Sequence, residues 1–421
     1  MSPKFWRRSH IVARCVVAAT AATLAGPVWA EPAPTYFELL SQLAQTPEGL
    51  EAQANLEAAE ARYQQARVRP NPVLGVEVEN LYGSGPYSGL SQADTTLSLS
   101  QDLELWGRRS ARMATARAEA GAMGHQRELA LVETAGQLAL AYAEAEAAQR
   151  LADLAEQALT LTVADARAAL VLVEQGREPL LRGIQGEAEA ASARASLDEA
   201  VAERDAAYAR LTAMAMIPTP VTRIDDSLLD MGPIMGPAME LNSGQDSPSV
   251  RLAEAERQAA ERRIEDQRVQ ARPDINASIG IRRMEAEDAT ALTLGISMPL
   301  PLFDRNRGNI QAAQAEFRAA DARLIRARQQ AQADRASASA RRTASVSRVN
   351  ASDAGVTAAE EAYRLSRIGF EAGRISQLEL RATRSALINA RTAAVSARLA
   401  RVRAEVDLAR LNGRAPFQGN Q

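Results

Sequence analysis

Leu97-Ser98-Leu99-Ser100-Gln101-Asp102-Leu103-Glu104-Leu105-Trp106-Gly107-Arg108-Arg109 changes character halfway along. Its first part alternates, with Leu97, Leu99 and Leu103 set against Ser98, Ser100 and Asp102. A period of two sends successive side chains to opposite faces of a strand. Its second part opens a stretch without proline from Arg108 to Val173. About 66 residues at 1.5 Å each make a helix about 100 Å long. No globular domain needs a rod of that length.

The same junction occurs twice. Leu103-Glu104-Leu105-Trp106-Gly107-Arg108 matches Leu300-Pro301-Leu302-Phe303-Asp304-Arg305 at an offset of 197 residues. That offset also carries Glu174-Gln175-Gly176-Arg177 onto Glu371-Ala372-Gly373-Arg374, Leu181 onto Leu378 and Arg194 onto Arg391. Arg69-Pro70-Asn71 matches Arg272-Pro273-Asp274 at 203, so the first copy carries about six extra residues in between. The chain therefore reads as a tandem duplication, each copy running helix, two strands, very long helix, tight turn, shorter helix. The expected divisions are a first repeat at 31–213, a linker or equatorial belt at 214–248, a second repeat at 249–414 and a tail at 415–421. Pro218, Pro220, Pro233, Pro237 and Pro248, with Gly232, Gly236 and Gly244, break helical periodicity in the linker.

All four strands alternate. Leu74, Val76 and Val78 oppose Gly75, Glu77 and Glu79; Ile275, Ala277, Ile279 and Ile281 oppose Asn276, Ser278, Gly280 and Arg282. Leu292, Leu294, Ile296 and Met298 oppose Thr293, Gly295 and Ser297. Each segment approaches the ~10 residues of a membrane-spanning strand. Four strands cannot close a barrel, and an open edge in lipid leaves backbone groups unpaired at several kcal/mol each. The edges must therefore pair with other copies of the chain. Three copies give twelve strands and a lumen wide enough to conduct, with Glu77, Glu79, Asp102 and Arg282 in the inward set.

The rods carry their own pattern. Leu131, Leu138, Ala145, Ala152, Leu159, Ala166 and Val173 recur every seven residues, with Thr134, Ala141, Ala148, Ala155, Thr162 and Ala169 three further on. Such a seam of small residues suits close helix–helix approach. The second copy runs without proline from Asn306 to Phe370.

Composition agrees. Of 421 residues 46% are hydrophobic but only 4% aromatic, so alanine-rich helices rather than aromatic-cored sheets fill the length. Residues 1–30 read as a signal peptide, with Lys4, Arg7 and Arg8 before the apolar run Val16 to Ala25 and a cut after Val28-Trp29-Ala30. Its removal takes away four basic and no acidic residues, moving the net charge from −3 to −7. No basic tail or cluster is left for nucleic acid. Cys15 lies inside the apolar run and is read as part of the leader, not as a lipidation site. Without it the chain has no Cys and one His, His125, read as a solvated helix residue. No thiolate, disulfide or Cys/His zinc site can be built, and no phosphate loop, nucleophile elbow or His-centred triad is visible. The expectation is a protein that is not an enzyme, with no cofactor and no metal site.

The element order, the duplication and three motifs resemble the TolC-type outer-membrane efflux proteins. The motifs are Arg69-Pro70-Asn71-Pro72, the Gln101 to Arg109 run, and Pro299-Leu300-Pro301-Leu302-Phe303-Asp304-Arg305-Asn306-Arg307-Gly308. The last two look most like the branch serving cobalt–zinc–cadmium and related heavy-metal exporters. The resemblance spans about Tyr36 to Leu411. It implies a mainly α chain with membrane β, forming a homotrimer. In it a twelve-stranded β-barrel in outer-membrane lipid continues as an α-helical barrel in the periplasm. The implied partners are a periplasmic adaptor and an inner-membrane pump of the resistance–nodulation–division type, and the implied role is passive exit of substrate, heavy-metal cations above all. Multidrug efflux or type I protein secretion is the alternative within the class, and a periplasmic coiled-coil structural protein the alternative outside it.

The resemblance also assigns residues. The turn after each long helix looks like the family's periplasmic tip, which places adaptor docking at Gly176, Arg177, Gly373 and Arg374. Relatives narrow that tip with acidic side chains six residues after the glycine; here Arg182 and Glu379 stand there, an opposite-charge pair that could close the aperture. Tyr82 and Tyr87 flank the turn between the first two strands, while Trp106 and Phe303 sit where strands give way to helices. Those four positions are the two aromatic girdles of a barrel.

Overall fold

The computed structural model describes residues 32–88, 90–177, 179–232 and 247–417. The expected leader at 1–30, with Cys15, lies outside the described residues, as do 233–246 of the expected linker and 418–421 of the expected tail.

Two runs of elements follow one another in the same order. The first contains α1 (Tyr36–Ser41), α2 (Pro47–Arg67), β1 (Val73–Glu79), β2 (Asp94–Asp102), α3 (Arg108–Glu174) and α4 (Leu180–Met214). The second contains α5 (Pro248–Gln270), β3 (Asn276–Met284), β4 (Ala289–Ser297), α6 (Arg307–Glu371) and α7 (Gln377–Leu411). Local chemistry sets the starts. Thr35 and Glu38 form a capping box on α1, and Thr46 caps α2 with Pro47 in the first turn. The strands span seven to nine residues, slightly shorter than the alternation suggests. The Leu103 N–H still donates to the Ile275 carbonyl at 3.0 Å. Glu104 and Trp106, at φ 44° and 64°, then turn the chain out of the extended region.

The strands form one antiparallel sheet in the order β1-β2-β3-β4. Register assigns the faces. Val76, Leu97, Ile281 and Leu292 stand opposite one another across the sheet, and so do Leu74, Leu99, Ile279 and Leu294. One residue along, Glu77, Thr96, Arg282 and Ala291 form a row on the other face. One face is thus aliphatic and the other polar, and both are open in the single chain. Leu294 and Ile296 on the edge strand are 75% and 81% exposed.

The rods pack as a coiled coil. α3 lies against α2, α4, α5 and α7, and α6 against α5 and α7. None of the thirteen heptad residues named above is exposed. Small side chains allow the approach: a Cβ on Gly186 of α4 would sit 3.1 Å from the Ala166 Cα of α3. The main core lies where α1, α3, α4 and α7 meet. Tyr36, Tyr142 and Phe417 are fully buried there, with ring centroids of Tyr36 6.1 Å from Tyr142 and 6.2 Å from Phe417.

The described part of the linker is clamped to this core. The carboxylate of Glu146 accepts from the N–H groups of Leu228 and Leu229 at 2.8 and 2.9 Å. Gln149 accepts from the Ile224 N–H at 2.8 Å, and Arg401 donates to the Leu229 and Met231 carbonyls at 2.7 and 2.6 Å. An irregular segment with its backbone groups satisfied this way is a fixed strap.

Candidate channel lining and periplasmic tip

The polar face of the sheet gathers the sequence-predicted lumen residues. Glu77, Glu79 and Arg282 lie on it with Asp94, and Asp102 lies on it at the other end, beside Asn276. Arg282 is bonded to Glu79 and lies 3.1 Å from Asp94, and Asn276 donates to Asp102 at 2.9 Å. Arg283 belongs to the aliphatic face, at the loop end of β3, where it turns to Asp288 and Glu285 in the β3–β4 turn. The polar face therefore carries four carboxylates against one guanidinium, a net-negative surface that favours cations.

The predicted girdle residues fall at the two ends of this sheet. Tyr82 and Tyr87 are exposed in the β1–β2 connection. Trp106 is half exposed and donates Nε1 to the Pro273 carbonyl at 3.1 Å. Phe303, 99% exposed, projects from the β4–α6 loop.

At the far end of the rods both turns are built alike. Gly176 and Gly373 take φ 69° and 64°, which a side chain disfavours. The Gly176 N–H donates to the Val173 carbonyl and the Arg177 N–H to Leu172; Gly373 and Arg374 repeat this with Phe370 and Gly369. These paired hydrogen bonds to the last helical turn satisfy carbonyls that a helix end leaves open. Both Arg177 and Arg374 are exposed at the extremity.

Arg182 and Glu379 are not joined by a hydrogen bond or ion pair within the chain. Glu379 is exposed in the first turn of α7, where its N–H is capped by Ser376 Oγ at 3.2 Å. What one chain does join is a group the sequence reading passed over. Arg384 of α7, only 8% exposed, is bonded to Asp165 of α3 and lies 3.8 Å from Glu189 of α4. Arg381 reaches the same Glu189 at 2.7 Å. One side of α7 is thereby fastened to the α3–α4 hairpin. The i,i+3 spacing of Arg381 and Arg384 shows in the sequence; their partners on two other helices do not.

His125 is half exposed on α3, 3.5 Å from Glu128. Among the described residues no group of three or more His, Cys, Asp or Glu side chains could hold a metal ion. No described helix is long and apolar enough to cross a membrane.

Comparison with known proteins bears on this arrangement. A family model described as outer membrane efflux protein matches residues 40–215 and 242–414. The nickel-cobalt-cadmium resistance protein NccC of Alcaligenes xylosoxydans xylosoxydans is 38% identical over 323 residues, 76% of this chain and 73% of that protein. The nickel and cobalt resistance protein CnrC of Cupriavidus metallidurans is 39% identical over 300 residues, 71% of each. Among solved structures, the open state of the Neisseria gonorrhoeae MtrE outer membrane channel superimposes with a TM-score of 0.75 at 22% identity, over 92% of this chain and 91% of that one.

Proposed function

The chain belongs to the outer membrane efflux protein family, and from that premise we propose that it is the outer-membrane duct of a heavy-metal exporter. It acts by holding a path open, not by catalysis. Three chains close their sheets edge to edge into a barrel of twelve strands, and their rods continue it as a periplasmic tube. The observation that carries this reading is the sheet itself: four strands, two open edges, one aliphatic face and one charged face. The names of the relatives NccC and CnrC support nickel, cobalt and cadmium as cargo. The carboxylate excess on the inner face suits that charge.

In this reading Glu77, Glu79, Asp102 and Arg282 line the lumen, and Tyr82, Tyr87, Trp106 and Phe303 mark the two membrane interfaces. Gly176, Arg177, Gly373 and Arg374 meet the adaptor, which joins the duct to a resistance–nodulation–division pump. Arg182 and Glu379 pair between neighbouring chains at the tip. The cargo is tested by deleting the gene in a host that carries the pump. Sensitivity to nickel, cobalt or cadmium, restored by the gene on a plasmid, is expected. Unchanged metal tolerance together with new sensitivity to antibiotics would replace the metal reading with multidrug efflux.

The gate has its own test in planar bilayers. Glu379→Arg should raise single-channel conductance, and adding Arg182→Glu should reverse part of the rise by restoring opposite charges. Exposed pairs contribute only ~0–1 kcal/mol each, although threefold symmetry repeats the change. Parent-like conductance in Glu379→Arg and Arg182→Glu alike would return both residues to ordinary solvated helix positions.

A further inference from the structure

Building on the outer-membrane reading, we propose that a cavity of about 490 Å³ between α2, α3 and α5 binds the phosphodiester of a phospholipid in the inner leaflet of the outer membrane.

Depth comes first. Pro70 lines the cavity and stands three residues before Val73, where β1 begins. Three extended residues span about 10 Å, about 7 Å along the membrane normal at the ~45° tilt of a spanning strand, which falls within the headgroup layer beyond the hydrocarbon core. The cavity is also tied to the lipid-facing side of the sheet. Gln101 shares its face with Ala277, on the same side as Leu99 and Ile279, and donates Nε2 to the Pro70 carbonyl at 2.8 Å. Trp106 lies at the same strand–helix junction.

Charge comes next. Arg62 and Arg69 line the cavity, and neither side chain makes a hydrogen bond or ion pair among the described residues. The other lining charges are already engaged. Arg112 is bonded to Glu104 and donates to the Ala66 and Val68 carbonyls at 3.1 and 2.9 Å. Glu119 is held by Arg263 at 2.7 Å. Asp266 accepts from Gln270 at 2.8 Å. Two uncommitted guanidiniums facing a cavity suit one phosphate, whose oxygens accept paired N–H donors.

The hydroxyl of Thr115 supplies the independent observation. Thr115 lines the cavity, is 9% exposed, and its Oγ1 has no hydrogen-bond partner. A helical threonine ordinarily returns its hydroxyl to the carbonyl four residues back. Thr134 and Thr162 of the same helix do so, at 2.9 and 2.7 Å. Thr115 does not, so its hydroxyl is a buried donor without an acceptor. Rotation about χ1 would turn it toward the cavity, where a phosphate oxygen supplies that acceptor.

The test uses the full-length channel extracted from membranes in mild detergent and titrated with phosphatidylglycerol under native mass spectrometry. Retention of up to one lipid per chain is expected. Arg62→Gln with Arg69→Gln should weaken retention at least tenfold, the loss expected for a pair of charge-assisted bonds. Arg326→Gln with Arg348→Gln, exposed on α6 away from the cavity, should leave retention unchanged. Thr115→Val should weaken it while preserving assembly. Retention unaltered by the Arg62/Arg69 change overturns the proposal. So does complete displacement by millimolar inorganic phosphate, which would mark a free-anion site. An Arg62/Arg69 variant that still extracts from the membrane as the parent oligomer confines any failure to the cavity. A protein absent from the membrane fraction would instead refute the duct reading.

Discussion

Glu405 of α7 is 4% exposed, and neither of its carboxylate oxygens has a hydrogen-bond partner among the described residues. Burial pushes its pKa from 4.5 up to about 6, against the opposing pull of Arg401 and Arg342. Between those two values the folded chain holds a proton that the unfolded chain has released. Stability therefore rises as pH falls through about 6 and is fully gained below 4.5; above 6 the buried charge costs about 2 kcal/mol. Glu405→Gln should remove both the cost and the pH dependence. The detergent-solubilised variant should resist denaturant better than the parent at pH 7 and equally at pH 4. An unchanged midpoint at pH 7 would show that the carboxylate is solvated in the assembled protein. Nothing in the sequence marks Glu405, since carboxylates on alanine-rich helices usually face water. Its burial follows from the way α7 packs, and so do the partners of Arg384. The shared polar face of Glu77, Glu79 and Asp102 was legible because a two-residue period fixes it without any knowledge of packing.

At the scale of elements, period and punctuation were enough. Alternation located all four strands, and freedom from proline located both rods. The glycines at 176 and 373 located the turns, because a helix reversal needs a left-handed residue at that point. The same geometry ends the shorter helices. Gly413 at φ 67° follows α7, and Met216 at φ 51° stands 197 residues earlier, after α4. Both N–H groups bond back to the last helical turn, Gly413 to Arg410 and Met216 to Ala213. The first copy thus holds a side chain where the second has none, and a left-handed conformation costs an L-residue about 1–2 kcal/mol. Met216→Gly should stabilise by up to about 1 kcal/mol, since glycine's greater unfolded-state freedom offsets part of the relief. Met216 is exposed, so little packing is lost. A lower unfolding midpoint for Met216→Gly would mean that the methionine side chain packs against another chain. The strand ends were less legible, because Leu103 and Leu105 continue the alternation although β2 ends at Asp102 and Glu104 turns the backbone away.

The whole molecule is unfinished as a single chain. β1 and β4 are open edges within it, and the aliphatic face of the sheet is bare, with Leu74, Leu292 and Leu294 67%, 66% and 75% exposed. Edge closure between chains accounts for both open strands, and it can be read directly by cross-linking. Cys15 is the one cysteine of the sequence, so in a Cys15→Ser background introduced pairs report without interference. Within one chain β1 and β4 are three strand spacings apart, about 14 Å, beyond the ~7 Å limit for a disulfide. Val76→Cys on β1 should be combined in turn with Leu292→Cys, Leu294→Cys and Ile296→Cys on β4, and oxidised in outer-membrane fractions. Closure by three chains predicts that at least one register gives covalent dimers and trimers on non-reducing gels, with the ladder stopping at three. Monomer alone at every register, or a ladder running past three, would contradict it.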